Sequence, residues 1–339
     1  KGAKGVDKDE EAVYTIRCKS FAFAVQRRMV MRKRQWILCL LMSALIMLPA
    51  CRAAEIEQEG LTVVATLFPQ YDFARQILGD KGTVKLLLPP GTEAHSYDPT
   101  PQDMVTMEKA SILIYTSDEM EPWAAKIIAS GNLQNTRIVD ASQNIVLMDE
   151  HEEDHGEEGH AHGEKDPHYW LDPNNAILMV DTIEDAVIEA DANNAAYYQE
   201  NAEELRRQLR QLDQDCRELA EELTNKTILC GGHFAFGYFA KQYGLTYRSP
   251  YKGFSADSEP TPQNIIELIQ AMEETGSHAI FYEELIQPKV AEVLAKETGA
   301  SMYLLHGAHN ISKEELEKQL SYISIMEQNL QNLREGLTS

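Results

Sequence analysis

The residues best suited to chemistry in this chain are its ten histidines. Four of them, His151, His155, His160 and His162, stand in the run DEHEEDHGEEGHAHGEKD from Asp149 to Asp166, beside nine Asp and Glu and between Gly156, Gly159 and Gly163. No packed core could absorb such a stretch. Its imidazoles and carboxylates suit weak collection of a cation by a mobile loop, and the plain alternative is a solvated acidic loop whose histidines are incidental. Five more histidines sit in ordered surroundings: His95 in GTEAHSYDPTP, His168 in DPHYWLDP, His233 in GGHFAFGYF, and His306 and His309 in LLHGAHN. The tenth, His278 in GSHAIFYEE, starts an apolar strand and reads as structural.

The elements that must position these side chains alternate between strand and helix. LTVVATL from Leu61, TVKLLLP from Thr83 and Ile112 to Tyr115 read as strands, with helices near Gln70 to Leu78, Gln102 to Lys109 and Pro122 to Ala129. After residue 225 the pattern recurs. Strands are expected at Lys226 to Cys230, Leu245 to Arg248, His278 to Tyr282 and Ser301 to Leu305. Helices are expected at Phe234 to Tyr243, Thr261 to Glu274, Pro288 to Thr298 and from about Ser312 to Leu333. Repeated βα units imply mainly parallel sheets covered by helices, here an α/β fold of two lobes, residues 61–173 and 224–339. A span of 50 residues without Pro or Gly, 174–223, joins them. Its apolar residues recur at helical spacing, as in Leu205, Leu209 and Leu212, so it reads as linking helices with a break near Asp191 to Asn194. The last of these forms a spine roughly 45 Å long that resists wide hinge closure. A coiled coil is the competing reading, for which the leucine register is short.

In such a fold His95, His168, His233, His306 and His309 fall at the carboxyl ends of strands or in the connections there, where open α/β sheets place ligand sites. A lone histidine there would by default be a satisfied surface or core residue. Several on equivalent loops point to convergence on one cation, and neutral imidazole is a common zinc ligand.

The amino-terminal region gives the compartment. Arg27, Arg28, Arg32, Lys33 and Arg34 precede the apolar run WILCLLMSALIML, Trp36 to Leu48, which is short for a bilayer span and suits the core of a signal peptide at residues 29–50. The run ends in Leu-Pro-Ala-Cys, so cleavage before Cys51 would leave an acylated thiol and a tether, residues 51–60; secretory cleavage near Ala53 or Ala54 is the alternative. Residues 1–28 fit no signal peptide and read as an over-called gene start. Beyond residue 50 the chain carries 50 acidic and 21 basic side chains, a net of −29, which disfavours nucleic acid and concentrates divalent cations. Cys216 and Cys230 are expected as unpaired, buried thiols.

GTEAHSYDPTPQD, DPHYWLDP, GGHFAFGYFAKQYGL, SADSEPTPQNI and FYEELIQPKVAEVLAKETGA, in that order, resemble the substrate-binding lipoproteins of zinc and manganese ABC importers, a family with a rigid helical backbone between two lobes. The match covers nearly all of residues 61–339. It implies His95, His168 and His233 as three ligands, and the acidic loop is similar to that of the zinc members. The fourth position is where this chain departs from the family, which commonly has a carboxylate in the loop after the last strand of the lobe. Here His309 falls there and is preferred, with His306 next. Four neutral imidazoles would leave a dication uncompensated, so a carboxylate is expected close by, with Glu283, Glu284 and Glu259 as candidates in that order. Imidazole donors favour zinc over manganese, while copper and nickel could also bind such nitrogens. The resulting expectation is a non-enzymatic, monomeric zinc scavenger. It is exported, lipid-anchored at the outer face of the cytoplasmic membrane or periplasmic, and delivers Zn2+ to an ABC permease with its cytoplasmic ATPase. A manganese-binding protein, an adhesin-type lipoprotein with a structural metal, and a zinc hydrolase are the competing classes. The hydrolase is disfavoured by the lack of HExxH.

Overall fold

The computed structural model describes residues 60–149, 165–251, 260–285 and 287–338. The expected signal peptide, Cys51, the four loop histidines and Glu259 lie outside the described residues. In the first lobe β1 (Leu61–Ala65), β2 (Gly82–Leu86), β3 (Ile112–Tyr115) and β4 (Arg137–Asp140) form one parallel sheet in the order β2-β1-β3-β4. α1 (Phe68–Leu78), α2 (Pro101–Glu108) and α3 (Pro122–Ala129) connect these strands, and each has Pro in its first turn, where the missing N–H costs no helical bond. Thr100 and Asp103 cap α2 reciprocally.

Burial on both faces explains why the central strands β1 and β3 read as continuous apolar runs rather than alternating ones. Val63, Ile112 and Ile114 face the main core, which also contains Phe73 and Ile77 of α1. Val64 and Leu113 face a second cluster with Met107 of α2 and Trp123 of α3.

The second lobe repeats the arrangement with β5 (Thr227–Leu229), α6 (Gly237–Tyr243), β6 (Thr246–Arg248), α7 (Pro262–Thr275), β7 (Ala279–Tyr282), α8 (Lys289–Thr298) and β8 (Ser301–Leu304). Its strands form two parallel pairs, β5-β6 and β7-β8, and a single bridge between Cys230 and Phe281 sets them side by side. The resulting order, β6-β5-β7-β8, is that of the first lobe.

The linker is two helices, α4 (Pro173–Ala190) and the 28-residue α5 (Ala195–Glu222), separated by a short 3-10 turn at Ala192–Asn194, where the sequence predicted the break. At ~1.5 Å per residue α5 extends for about 42 Å. Its buried stripe, Tyr198, Ala202, Leu205, Leu209, Leu212, Cys216 and Leu219, repeats at three- and four-residue steps. That stripe packs on α4 and α1 and on the carboxyl-terminal helix α10 (Tyr322–Thr338), so the spine touches both lobes. Arg206, on the flank of that stripe, joins α5 to α4 through Asp181 (2.8 Å) and Glu184 (2.5 Å). Cys216 and Cys230 are buried thiols outside any disulfide.

Three expectations need correction. β4 was not anticipated; only Val139 of its four residues is fully buried, so its apolar signal is weak. The helix expected from Phe234 starts only at Gly237, because Phe234 leaves the helical path to stack on Tyr247 with ring centroids 3.9 Å apart. The single helix expected from Ser312 to Leu333 is two, α9 (Lys313–Glu317) and α10. Gln319 takes a left-handed conformation (φ 55°), and Ser321 Oγ accepts from the Ser324 N–H at 3.1 Å as a new amino-terminal cap.

Candidate metal centre

DPHYWLDP is the rivet between the lobes. Tyr169, Trp170 and Leu171 form a wholly buried 3-10 turn. Tyr169 Oη donates to the Thr116 carbonyl at 2.7 Å in the first lobe, and Trp170 Nε1 donates to the Gly307 carbonyl at 2.8 Å in the second. The loop carrying His95 is fastened across the same cleft: Asn310 Nδ2 donates to the carbonyls of Pro89 (2.9 Å) and Thr92 (2.7 Å), and Gly91 N–H to Ile311 O (2.8 Å).

These ties bring His95, His168 and His233 together. One nitrogen from each lies within 4.8 Å of the other two. His95 Nε2 and His168 Nε2 are 3.3 Å apart, which is about the separation of two nitrogens held ~2.0–2.1 Å from one tetrahedral zinc ion. Ring centroids lie 5.2 Å apart for His95 and His168, 5.2 Å for His168 and His233, and 5.7 Å for His95 and His233.

A carboxylate stands behind each buried imidazole. Asp166 Oδ1 accepts from both the backbone N–H and Nδ1 of His168 at 2.9 Å, which leaves Nε2 as the ligand nitrogen. Glu283 Oε2 lies 3.2 Å from Nδ1 of His233 and selects Nε2 there as well. Glu93 Oε1 accepts from the His95 N–H at 3.0 Å.

The remaining predicted residues divide. His309 is buried beside the trio, its ring centroid 6.2 Å from that of His95 and its Nδ1 3.6 Å from Glu284 Oε1. It is not among the three residues whose nitrogens meet within 4.8 Å. Its loop is held under strain, with Ala308 at φ 56°. Gly307 is required there, since a Cβ would come 2.9 Å from His309 Nδ1. His306 is engaged otherwise: Nδ1 accepts from the Ala308 N–H at 3.0 Å, Nε2 faces Glu315 at 3.5 Å, and Asn329 holds its backbone. Glu284 Oε2 accepts from the Gly307 N–H at 2.7 Å while Oε1 lies between His306 and His309. His278 is exposed, one residue ahead of β7.

Residues 63–336 match the family described as zinc-uptake complex component A, periplasmic, ZnuA. The chain belongs to the ZnuA family. It is 37% identical over 292 residues to the high-affinity zinc uptake system protein ZnuA of Bacillus subtilis, covering 84% of this chain and 90% of that protein. It is 31% identical over 319 residues to the zinc-binding protein AdcA of Streptococcus pyogenes, covering 90% of this chain but only 61% of that longer protein. The crystal structure of the Zn(II)-bound ZnuA-like domain of Streptococcus pneumoniae AdcA superimposes with a TM-score of 0.70 at 28% identity, over 83% of this chain and all of that one. A ZnuA-family protein is an extracytoplasmic binding component of an ABC importer rather than an enzyme, and zinc is its cargo.

Electrostatics of this ZnuA-family site favour neutral nitrogen donors. Burial, and then the neighbouring His309 and His233, hold His95 down to about 4. Burial and the same crowding of imidazoles push His168 well below the ordinary histidine value. His233 goes the other way: burial lowers it, but the hydrogen bond and charge of Glu283 outweigh burial and raise it. Glu93 is held below the usual carboxylate range, because His309 and the His95 amide outweigh its burial.

Two supporting groups were missed by reading the sequence. Asp166 was counted only as the last acid of the loop, although Asp two residues before His168 is the spacing at which a carboxylate folds back on a following N–H. Glu93 carried no comparable signal.

Proposed function

We propose that this protein holds one zinc ion between its lobes on His95, His168, His233 and His309, and delivers it to the permease of an ABC importer. The approach of three imidazole nitrogens to within 4.8 Å of one another carries the reading. His309 completes the set with a small shift of its loop, and Glu284 stands behind it as Asp166 and Glu283 stand behind His168 and His233. Nitrogen donors in a compact tetrahedral arrangement select zinc over manganese. Zinc is exchanged through local loop movement, because α5 packs against both lobes and opposes hinge opening. The mature chain acts as a monomer outside the cytoplasmic membrane, anchored through acylated Cys51, and the histidines of residues 149–166 collect metal for the tight site.

The test is a zinc titration against a competing chelator, using the mature chain without residues 150–164. One tight ion is expected, lost in His168→Ala and weakened in His309→Ala. Retention of tight binding in His168→Ala would refute the site, and full affinity in His309→Ala would remove His309 from the ligand set.

A further inference from the structure

Tyr238 lies on α6 in the second lobe, is 5% exposed, and is no metal ligand. Its hydroxyl is nonetheless saturated by two first-lobe groups: it accepts from the Met148 N–H at 2.7 Å and donates to the Asp166 carbonyl at 2.8 Å. These two residues are also bonded to each other, Asp166 N–H to Met148 O at 2.9 Å. The next rung outward pairs Asp149 with Lys165 in an antiparallel bridge closed by an ion pair at 2.5 Å. One phenol oxygen therefore ties together the two chain segments that leave and re-enter the histidine-rich stretch.

Asp166 continues inward from this clasp. It is 2% exposed, and its Oδ1 holds both nitrogens on one side of His168. Its other oxygen lies against Gly237, where a Cβ would come 2.8 Å from Oδ2, so α6 presents its one residue without a side chain to let the carboxylate in. The backbone of Asp166 is thus fixed by Tyr238 and Met148, and its side chain by His168 and the Gly237 recess.

We propose that Tyr238 is a positioning residue for the metal site: its hydroxyl clamps Met148 to Asp166 and so sets the carboxylate that aims His168 Nε2 at the ion. The inference rests on the zinc-binding reading above. The ion's affinity then depends on a hydroxyl in the second lobe that closes the neck of a first-lobe loop, which makes docking of α6 against that neck part of assembling the site.

Tyr238→Phe removes the oxygen and little else. Zinc affinity of the full mature chain is measured by chelator competition, the ligand field by the visible spectrum of the Co2+ form, and apo stability by thermal unfolding. Direct outer-shell partners are worth roughly 10–100-fold in metal affinity, so Asp166→Asn is expected in that range and Tyr238→Phe at about fivefold. The Co2+ spectrum is expected to shift in both. Tyr238→Phe is expected to add nothing in an Asp166→Asn background, because it acts through that carboxylate. Unchanged affinity and Co2+ spectrum in Tyr238→Phe, even with a lowered melting temperature, would make the residue merely structural and overturn the proposal. Additive losses in the double variant would do the same. A wild-type chain with no tight zinc and no tetrahedral Co2+ spectrum would overturn both this inference and the reading beneath it, whereas tight wild-type binding with an indifferent Tyr238→Phe overturns this inference alone.

Discussion

Proton competition should be carried by fewer histidines than the ligand set contains. Zinc takes imidazole only in its neutral form, so four ordinary histidines would make the affinity fall with nearly the fourth power of proton concentration below about pH 6.5. His95, held to about 4, and His168, pushed well below the ordinary value, are already neutral across pH 5 to 6.5 in the empty protein. They release no proton on binding there. His233 is raised by Glu283, so it is protonated in that window and must give up its proton. At most two protons are therefore released per zinc, and the logarithm of affinity should change by no more than about two per pH unit; each proton is worth about 1.4 kcal/mol per unit. Glu283→Gln removes the carboxylate that raises His233. The acid limb should move to lower pH, while affinity at pH 8 falls by roughly tenfold for want of the group that orients the ring. Calorimetric titration in buffers of differing ionisation enthalpy counts the protons directly. Release of three or four between pH 5 and 6.5, or an acid limb unmoved in Glu283→Gln, would refute the reasoning.

Apo stability should also fall on acidification. A histidine whose folded value lies below its unfolded one leaves the unfolded chain holding more protons between the two, so His95 alone removes up to about 3 kcal/mol as pH drops from 6.5 to about 4. His233 opposes this, since its stabilisation is present below the ordinary value and lost as pH rises through its raised one. A melting temperature of the apo protein that rises from pH 6.5 to 4 would contradict the balance. Deleting residues 150–164 should slow zinc uptake by cells at low zinc yet preserve one tight ion; loss of that ion would make the loop the primary site. Leu209→Ala opens a cavity in the spine where α5 meets the core, and urea unfolding should show a loss of about 2–5 kcal/mol. A loss under 1 kcal/mol would mean that the stripe on α5 does not bind the lobes.

Much of this architecture was legible because several signals agreed at each element. Leu61–Ala65 and Ile112–Tyr115 are apolar and bounded by turns, and Pro122 and Pro262 each open a helix. The spine announced itself by a long stretch without Pro or Gly and by leucines at helical steps. Places at strand ends and in the connections there singled out five histidines, His95, His168, His233, His306 and His309, and only the resemblance to a known family picked the three whose nitrogens approach one another. Tyr238 was not legible, because its place is set by hydrogen bonds to Met148 and Asp166, far from it in sequence; Asp166 was overlooked although its contact with His168, two residues on, is local. The split between α9 and α10 was hidden for a local reason: LEKQLSYIS keeps helical apolar spacing, and only the left-handed Gln319 and the Ser321 cap break it.

The most direct test of the account is an anomalous-scattering map collected at the zinc edge on crystals of the zinc-loaded protein. One strong peak is expected within about 2.1 Å of Nε2 of His95, His168 and His233, with His309 moved in to complete a tetrahedron and Glu284 behind it. A peak elsewhere, or one bound by fewer than two of those three histidines, would contradict it.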